Sequence, residues 1–353
     1  MSSLISVKEI LDKASVTASA PCRIDAGGTW DIKAMALAFE RCRPVTFNAA
    51  IDLRTTVTLH PYKSGRVRIT SEGFPEGVGC RGKGMDLTGP FAIFFAAINY
   101  FGFTGFEVRI SSASPVKSAL GGSSTALIAL IKALVKLDTL AGAKRVLSRP
   151  DILTLGYHLE DGISGGNCGM QDQAAAVYGG VNGWYWSYSN VKSPVTREAL
   201  LDSAGMRLFS ERIIVAYSGK WHVSLTTNRI WLDNFLNGRT RDGWIEANEV
   251  IKGLISAVRS MDWDEAVRCI REEMRIRRKI TPDALIPETG NLIKEAERLG
   301  CGARFTGAGA GGSLWAIGEP DDIKRVKKRW ERSLVQIKGA CILPCKVDPK
   351  GVI

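Results

Sequence analysis

The stretch Ser118-Ala119-Leu120-Gly121-Gly122-Ser123-Ser124-Thr125 runs straight into an apolar segment, residues 126–137, that reads as a helix. Its two glycines let backbone approach a ligand and take φ > 0 without a Cβ clash. Its hydroxyls can cap the helix, and the first amides of that helix lack internal partners and carry partial positive charge. A loop of this kind holds an anion such as phosphate; the same composition also makes a plain cap or turn.

Three further clusters bear on the choice. Residues 160–173 set Glu160, Asp161, Gln171, Asp172 and Gln173 among glycines. Residues 20–31 place Arg23, Asp25 and Asp31 around the Gly27-Gly28 turn, where polar groups suit hydroxyl recognition. Gly307-Ala-Gly309-Ala-Gly311-Gly312 matches G-x-G-x-x-G, but its flanks are strand-like on both sides. A dinucleotide fingerprint needs a helix after the glycines, so a glycine-rich hairpin closing on the first loop is expected. Residues 77–84 nearly spell a Walker A loop, yet Gly84 stands where a Mg²⁺-binding hydroxyl is required. That stretch reads as a flexible surface turn.

The elements that must position these groups follow from periodicity. Residues 51–60 alternate at strand period, residues 90–100 form an apolar helix, and residues 106–111 form a strand feeding the first glycine loop. Residues 151–160 read as a helix capped by Asp151, and residues 162–180 as loop plus a short helix. After a strand at 212–217 come helices at 222–236, 244–259, 264–280 and 290–299, then two short strands within 304–317. The pattern is α+β in two lobes, divided as residues 1–190 and 191–353.

Composition excludes several classes. The 353 residues carry ordinary apolar and charged fractions, so disorder is not expected. No run of eighteen apolar residues marks a membrane span, and the polar N-terminus reads as the start of a short helix rather than a signal peptide. Eight cysteines form no Cys-x-x-Cys pair and histidines number three, so zinc or a disulfide framework is not expected. Reduced thiols in a cytoplasm fit best. The net charge of +11 includes basic runs at 275–279 and 324–329. Both read as solvated outer faces rather than nucleic-acid contacts, the second because Ile323, Val326, Trp330 and Leu334 share one helix face.

The chain resembles the GHMP kinase family on three segments in order: 21–31, 115–126 and 306–313. The resemblance implies an N-terminal ribosomal-protein-S5-like β-α lobe and a C-terminal ferredoxin-like lobe, with ATP and Mg²⁺ between them. It implies that Ser118, Gly121, Gly122, Ser123, Ser124, Thr125, Gly309 and Gly311 serve the nucleotide. Ser124 and Glu160 would hold Mg²⁺, Asp172 would orient or deprotonate the acceptor hydroxyl, and Arg23 would stabilise charge near the transferring group. The turn at 23–31, the segment 169–180 and the segment 217–224 resemble the sugar-kinase branch of heptose-7-phosphate 1-kinases, fucokinase and galactokinase. There Asp31, Asn48, Gly169, Gln171, His222 and Gly307 would line a sugar pocket. A turn one residue shorter than that branch's puts Thr29-Trp30-Asp31 at the sugar. The expected partner is a sugar or sugar phosphate, with neither nucleic acid nor membrane, in a monomer or homodimer. A non-catalytic sugar sensor on the same fold is the rival reading.

Overall fold

The computed structural model describes residues 7–81, 86–143, 146–221 and 224–353. Its strands fall into two sheets. The first holds β1 (Val16–Ala26), β2 (Val45–Pro61), β3 (Arg66–Ser71), β4 (Phe74–Arg81), β5 (Phe106–Ser112), β6 (Val181–Trp186) and β7 (Val195–Ala199). The second holds β8 (Ile213–Tyr217), β9 (Gly302–Phe305), β10 (Ser313–Ile317) and β11 (Cys341–Leu343). The helices are α1 (Val7–Lys13), α2 (Lys33–Ala38), α3 (Ala92–Phe101), α4 (Gly122–Leu140), α5 (Arg149–Ser164), α6 (Gln171–Tyr178), α7 (Ser203–Glu211), α8 (Ser224–Leu236), α9 (Arg241–Arg259), α10 (Trp263–Ile280), α11 (Pro287–Arg298) and α12 (Pro320–Leu334).

The strand β2 is the spine of the first sheet. One edge pairs with β1, while β6 and β5 share the other at its two ends. From Ile51 onward its residues alternate between buried and half-buried, as the strand period requires. Against this sheet lies α4, whose buried side chains run from Ser124 to Leu137. A buried Leu or Ile contributes roughly 1.5–3 kcal/mol, so this helix is anchored along its length and its N-terminus is a fixed point.

The second sheet has the order β11-β8-β10-β9, all antiparallel. Numbered within the lobe this is 4-1-3-2, the ferredoxin-like order, with α8 to α11 filling the first crossover and α12 the second. The architecture is α+β in two lobes, as expected. The last residues return to the first sheet: Asp348 pairs with Arg54, and Ser19 and Ile353 exchange backbone hydrogen bonds at 3.0 Å. No described helix is long and apolar enough to cross a membrane.

Several local expectations are corrected. Residues 77–81 belong to β4, paired with β3, and are not a turn; residues 82–85 lie outside the described residues. The helix expected from Asp151 begins at Arg149, with Ser148 as N-cap and Asp151 answering it in a capping box. The basic run on α12 is solvated above the buried Ile323, Val326, Trp330 and Leu334. That on α10 is only partly so: Arg275 pairs with Glu272 and Glu246 at the surface, but Arg277 is 1% exposed.

Candidate active site

A cleft of about 470 Å³ gathers residues from both lobes, among them Arg23, Asp31, Gly121–Ser124, Glu160, Gly169, Gln171, Asp172 and Gly307. The first glycine loop forms one wall. Lys117, Ala119 and Gly121 all have positive φ, and α4 starts with Gly121 as N-cap and no side-chain cap. Its first amides therefore face the cleft without internal partners. The hydroxyls expected to cap the helix go elsewhere. Ser124 Oγ donates to Glu160 Oε1 at 3.0 Å, and Thr125 Oγ1 donates to the Pro21 carbonyl at 3.3 Å, away from the cleft. Ser118 lines the cleft, and its carbonyl accepts the Ser313 amide.

The second glycine loop braces the first. A Cβ on Gly312 would stand 2.6 Å from Ala119 Cβ, and one on Gly307 would meet Ala119 O and Arg23 Nη2 at 3.3 Å. Gly307 borders the cleft and gives its amide to Asp25 Oδ1 at 2.8 Å. Gly309 and Gly311 stand outside the cleft, packed against Ala284 and against the Lys220–Trp221 backbone.

Charge is concentrated opposite. Asp172, on the first turn of α6, accepts Arg23 Nε at 2.8 Å and keeps a quarter of its side chain exposed. Arg23, on β1, is buried and also donates to the Ala119 carbonyl at 2.7 Å. Burial alone would weaken its charged form, but Asp172 and Asp25 push its pKa up. Glu160, on α5, accepts Ser124 Oγ and, at 2.7 Å, Gln173 Nε2. Burial and the nearby Asp172 charge raise its carboxyl to about 7 against those hydrogen bonds. A hydroxyl beside a carboxylate that is costly to ionise alone suits a hard divalent cation, which takes few protein oxygens and fills its shell from phosphate and water. Among the described residues no cluster of three or more His, Cys, Asp or Glu gathers for a metal, in the cleft or away from it.

Asp31 closes the other end. It is 2% exposed; Oδ1 accepts the Thr29 amide and Oδ2 the Gln171 amide, each at 3.0 Å. Burial, helped by Asp172, raises its carboxyl to about 6. Trp30 turns the opposite way into the second lobe, its Nε1 bonded to the Trp244 carbonyl, so the short turn presents Asp31 to the cleft. Any side chain at Gly169 would collide with the Asp31 carboxylate. Gln171 lines the cleft with a buried Oε1 that has no partner, a ready acceptor for a hydroxyl. Asn48 lies behind it, bonded to the Gln171 carbonyl and to Trp184 Nε1, and does not line the cleft. His222 lies outside the described residues.

Two contributions carry no mark in the sequence pattern. Phe74, Phe91, Phe94, Ile110 and Val116 make one end of the cleft apolar, although residues 90–100 read simply as a core helix. Cys168 lies beside Glu160, with Gln173 Nε2 at 3.5 Å; burial and the Glu160 charge raise its thiol well above the ordinary value.

A helix N-terminus, a carboxylate–hydroxyl pair and a carboxylate–arginine pair border one cleft, an arrangement suited to phosphoryl transfer. Two family models match in order: GHMP kinases N terminal domain over residues 91–180, and GHMP kinases C terminal over residues 254–336. The bifunctional fucokinase/GDP-fucose pyrophosphorylase of Arabidopsis thaliana is 24% identical over 243 residues, 66% of this chain. The chain spans only 22% of that relative's length. A D-glycero-D-manno-heptose 1-phosphate kinase from Bacteriodes thetaiotaomicron superposes with TM-score 0.70 at 18% identity, covering 95% of this chain and 97% of that one. Lactococcus lactis galactokinase complexed with galactose gives TM-score 0.73 at 18% identity, covering 97% and 95%. The chain thus matches both GHMP kinase domains in order, and its kinase relatives support an ATP-dependent phosphotransferase acting on a hydroxyl group.

Proposed function

We propose that this protein transfers the γ-phosphoryl group of ATP to a hydroxyl, the anomeric one favoured, of a sugar or sugar phosphate such as a heptose 7-phosphate. One observation carries the reading: the uncapped start of α4, the Ser124–Glu160 pair and the Arg23–Asp172 pair border a single cleft. The apolar end suits the base, and the amides and hydroxyls at 121–124 suit the triphosphate. Ser124 and Glu160 are the residues to hold Mg²⁺, which when bound neutralises phosphate charge. The acceptor oxygen attacks the γ-phosphorus, its proton passes to Asp172, and the bond to the β-phosphate oxygen breaks to release ADP. Arg23 faces the charge that develops there and fixes Asp172. Asp31 and the open Gln171 Oε1 suit sugar hydroxyls, with Gly169 making room for Asp31; Asn48 acts from behind through the Gln171 backbone. We assign His222 to the same pocket on the resemblance alone.

We place the change of lobe near residue 190 and the protein in the cytoplasm, where its eight free cysteines stay reduced. The test is ADP release over a panel of free sugars, sugar phosphates and mevalonate, with phosphorus NMR locating the new ester. Turnover with a sugar, and a phosphate on its anomeric oxygen, is expected. Turnover confined to mevalonate would overturn the substrate class. Sugar binding without any ADP release would favour a sensor.

A further inference from the structure

Lys117 sits in the first glycine loop with φ of +56°, a left-handed backbone open to glycine and strained for a lysine. Its side chain lines the cleft beside Ser118 and Ala119. Its ammonium rests over the ring of Trp221, 4.7 Å from the centroid, and no ion pair holds it among the described residues. The lysine preceding Trp221 shows the contrast: Lys220 is tied to Glu288 at 3.3 Å. Trp221 belongs to the second lobe, is 69% exposed, and lays its carbonyl against Gly311. The contact therefore bridges the two glycine loops across the cleft rim. At an exposed site a cation–π contact is weak and easily exchanged for an anion.

We propose that Lys117 is a further catalytic residue of the phosphoryl transfer. Trp221 is its resting place, and its ammonium turns onto the terminal phosphate of bound nucleotide, countering charge as the bond to the β-phosphate oxygen breaks. It forms no covalent bond and takes no proton from the acceptor, a role left to Asp172. A strained backbone beside the reacting groups, carrying a flexible cation held only by an exposed ring, is otherwise a cost without return. The inference rests on the kinase reading above.

The test is Lys117→Gly and Lys117→Arg in the full chain. Glycine relaxes the backbone, so its melting temperature rises. Its kcat falls on the order of 10²-fold, the scale for losing one donor to developing charge, while the acceptor KM stays within about threefold. Arginine restores part of kcat. Glycine that melts higher with unchanged kcat would overturn the proposal, as would parallel losses of melting temperature and activity. Wild-type protein that binds no ADP with Mg²⁺ by calorimetry would instead sink the kinase reading; binding and turnover with an indifferent Lys117 sink this inference alone.

Discussion

The buried carboxylate of Asp31 makes a prediction whose sign can be worked from the structure. Its pKa stands at about 6 instead of 3.8, chiefly through burial. Between pH 4 and 6 the folded protein therefore binds more protons at this group than the unfolded chain does, and stability falls as pH rises. By about pH 7 that loss is complete, at about 3 kcal/mol. Asp31→Asn removes the titration. Its stability relative to wild type should improve by about 2–3 kcal/mol from pH 4 to pH 7.5, with groups remote from Asp31 cancelling in the difference. Against this, the asparagine oxygen can satisfy only one of the Thr29 and Gln171 amides, and the other is left facing an NH₂ at a cost of about 1–3 kcal/mol. At pH 7.5 the variant should thus be about as stable as wild type, and at pH 4 clearly less stable. Urea unfolding of both proteins at pH 4.5, 5.5, 6.5 and 7.5 measures this. The acceptor KM should rise about 10–100-fold in the variant as a charge-assisted hydrogen bond is lost, with the ATP KM unchanged. A stability difference that stays flat within about 1 kcal/mol across the range would refute the reasoning, because the linkage leaves no other sign.

Other substitutions probe the remaining walls of the cleft. Asp172→Asn should lower kcat by about 10²–10⁴-fold while calorimetry shows nucleotide still bound, since Arg23 keeps Asp25 at 3.4 Å. Glu160→Gln should raise the Mg²⁺ concentration for half-maximal activity at least about tenfold, read from activity against metal concentration. Gly312→Ala puts a Cβ at φ +72° against Ala119 and the Ser118 carbonyl, so ADP should bind about tenfold more weakly, by about 1.4 kcal/mol in a titration.

What was legible in the sequence followed the range of the forces involved. The α4 helix, the alternation in β2 and the strand-loop-strand around Gly307–Gly312 are local patterns, and each formed where periodicity put it. The resemblance brought Arg23, Glu160 and Asp172 to one cleft because whole motifs, rather than single residues, carried it. Tertiary contacts decided the rest. The strand β4 exists because β3 offers an edge to its glycine-rich backbone. Asn48 serves the Gln171 backbone instead of the cleft because the β2–β6 pairing turns it inward. Arg277 looked like part of a solvated run, and only the rings of Trp231, Trp244 and Phe305, 4.4–5.1 Å from its guanidinium, explain its burial.

Arg277 also ends a chain of charges that ties the chemistry to the second lobe. From the cleft inward run Asp172 and Arg23 at 2.8 Å, Arg23 and Asp25 at 3.4 Å, Asp25 and Arg304 at 3.1 Å, Arg304 and Glu273 at 2.9 Å, and Glu273 and Arg277 at 3.8 Å. Apart from Asp172 these groups are at most 4% exposed, so each depends on its neighbours to offset desolvation. Burial, with the Arg304 charge beside it, draws Arg277 down to about 9 although Glu273 and Asp25 oppose the shift. Such a ladder adds little net stability, since apolar replacements of buried pairs often match them; what it removes is freedom, because a lobe rotated by one residue's width would strand several charges at about 3–5 kcal/mol each. Arg277 donates to the Gly28 carbonyl at 3.4 Å, and Trp30 is held by the Trp244 carbonyl, so the second lobe grips the turn that presents Asp31. Asp25 joins the same ladder to the Gly307 amide and, through Arg23, to the Ala119 carbonyl. The first glycine loop, the turn at 27–31 and the carboxylate at 172 are thereby fixed to one another, which on the proposed kinase reading is the condition under which oriented dipoles and charges act on a transition state without first reorganising.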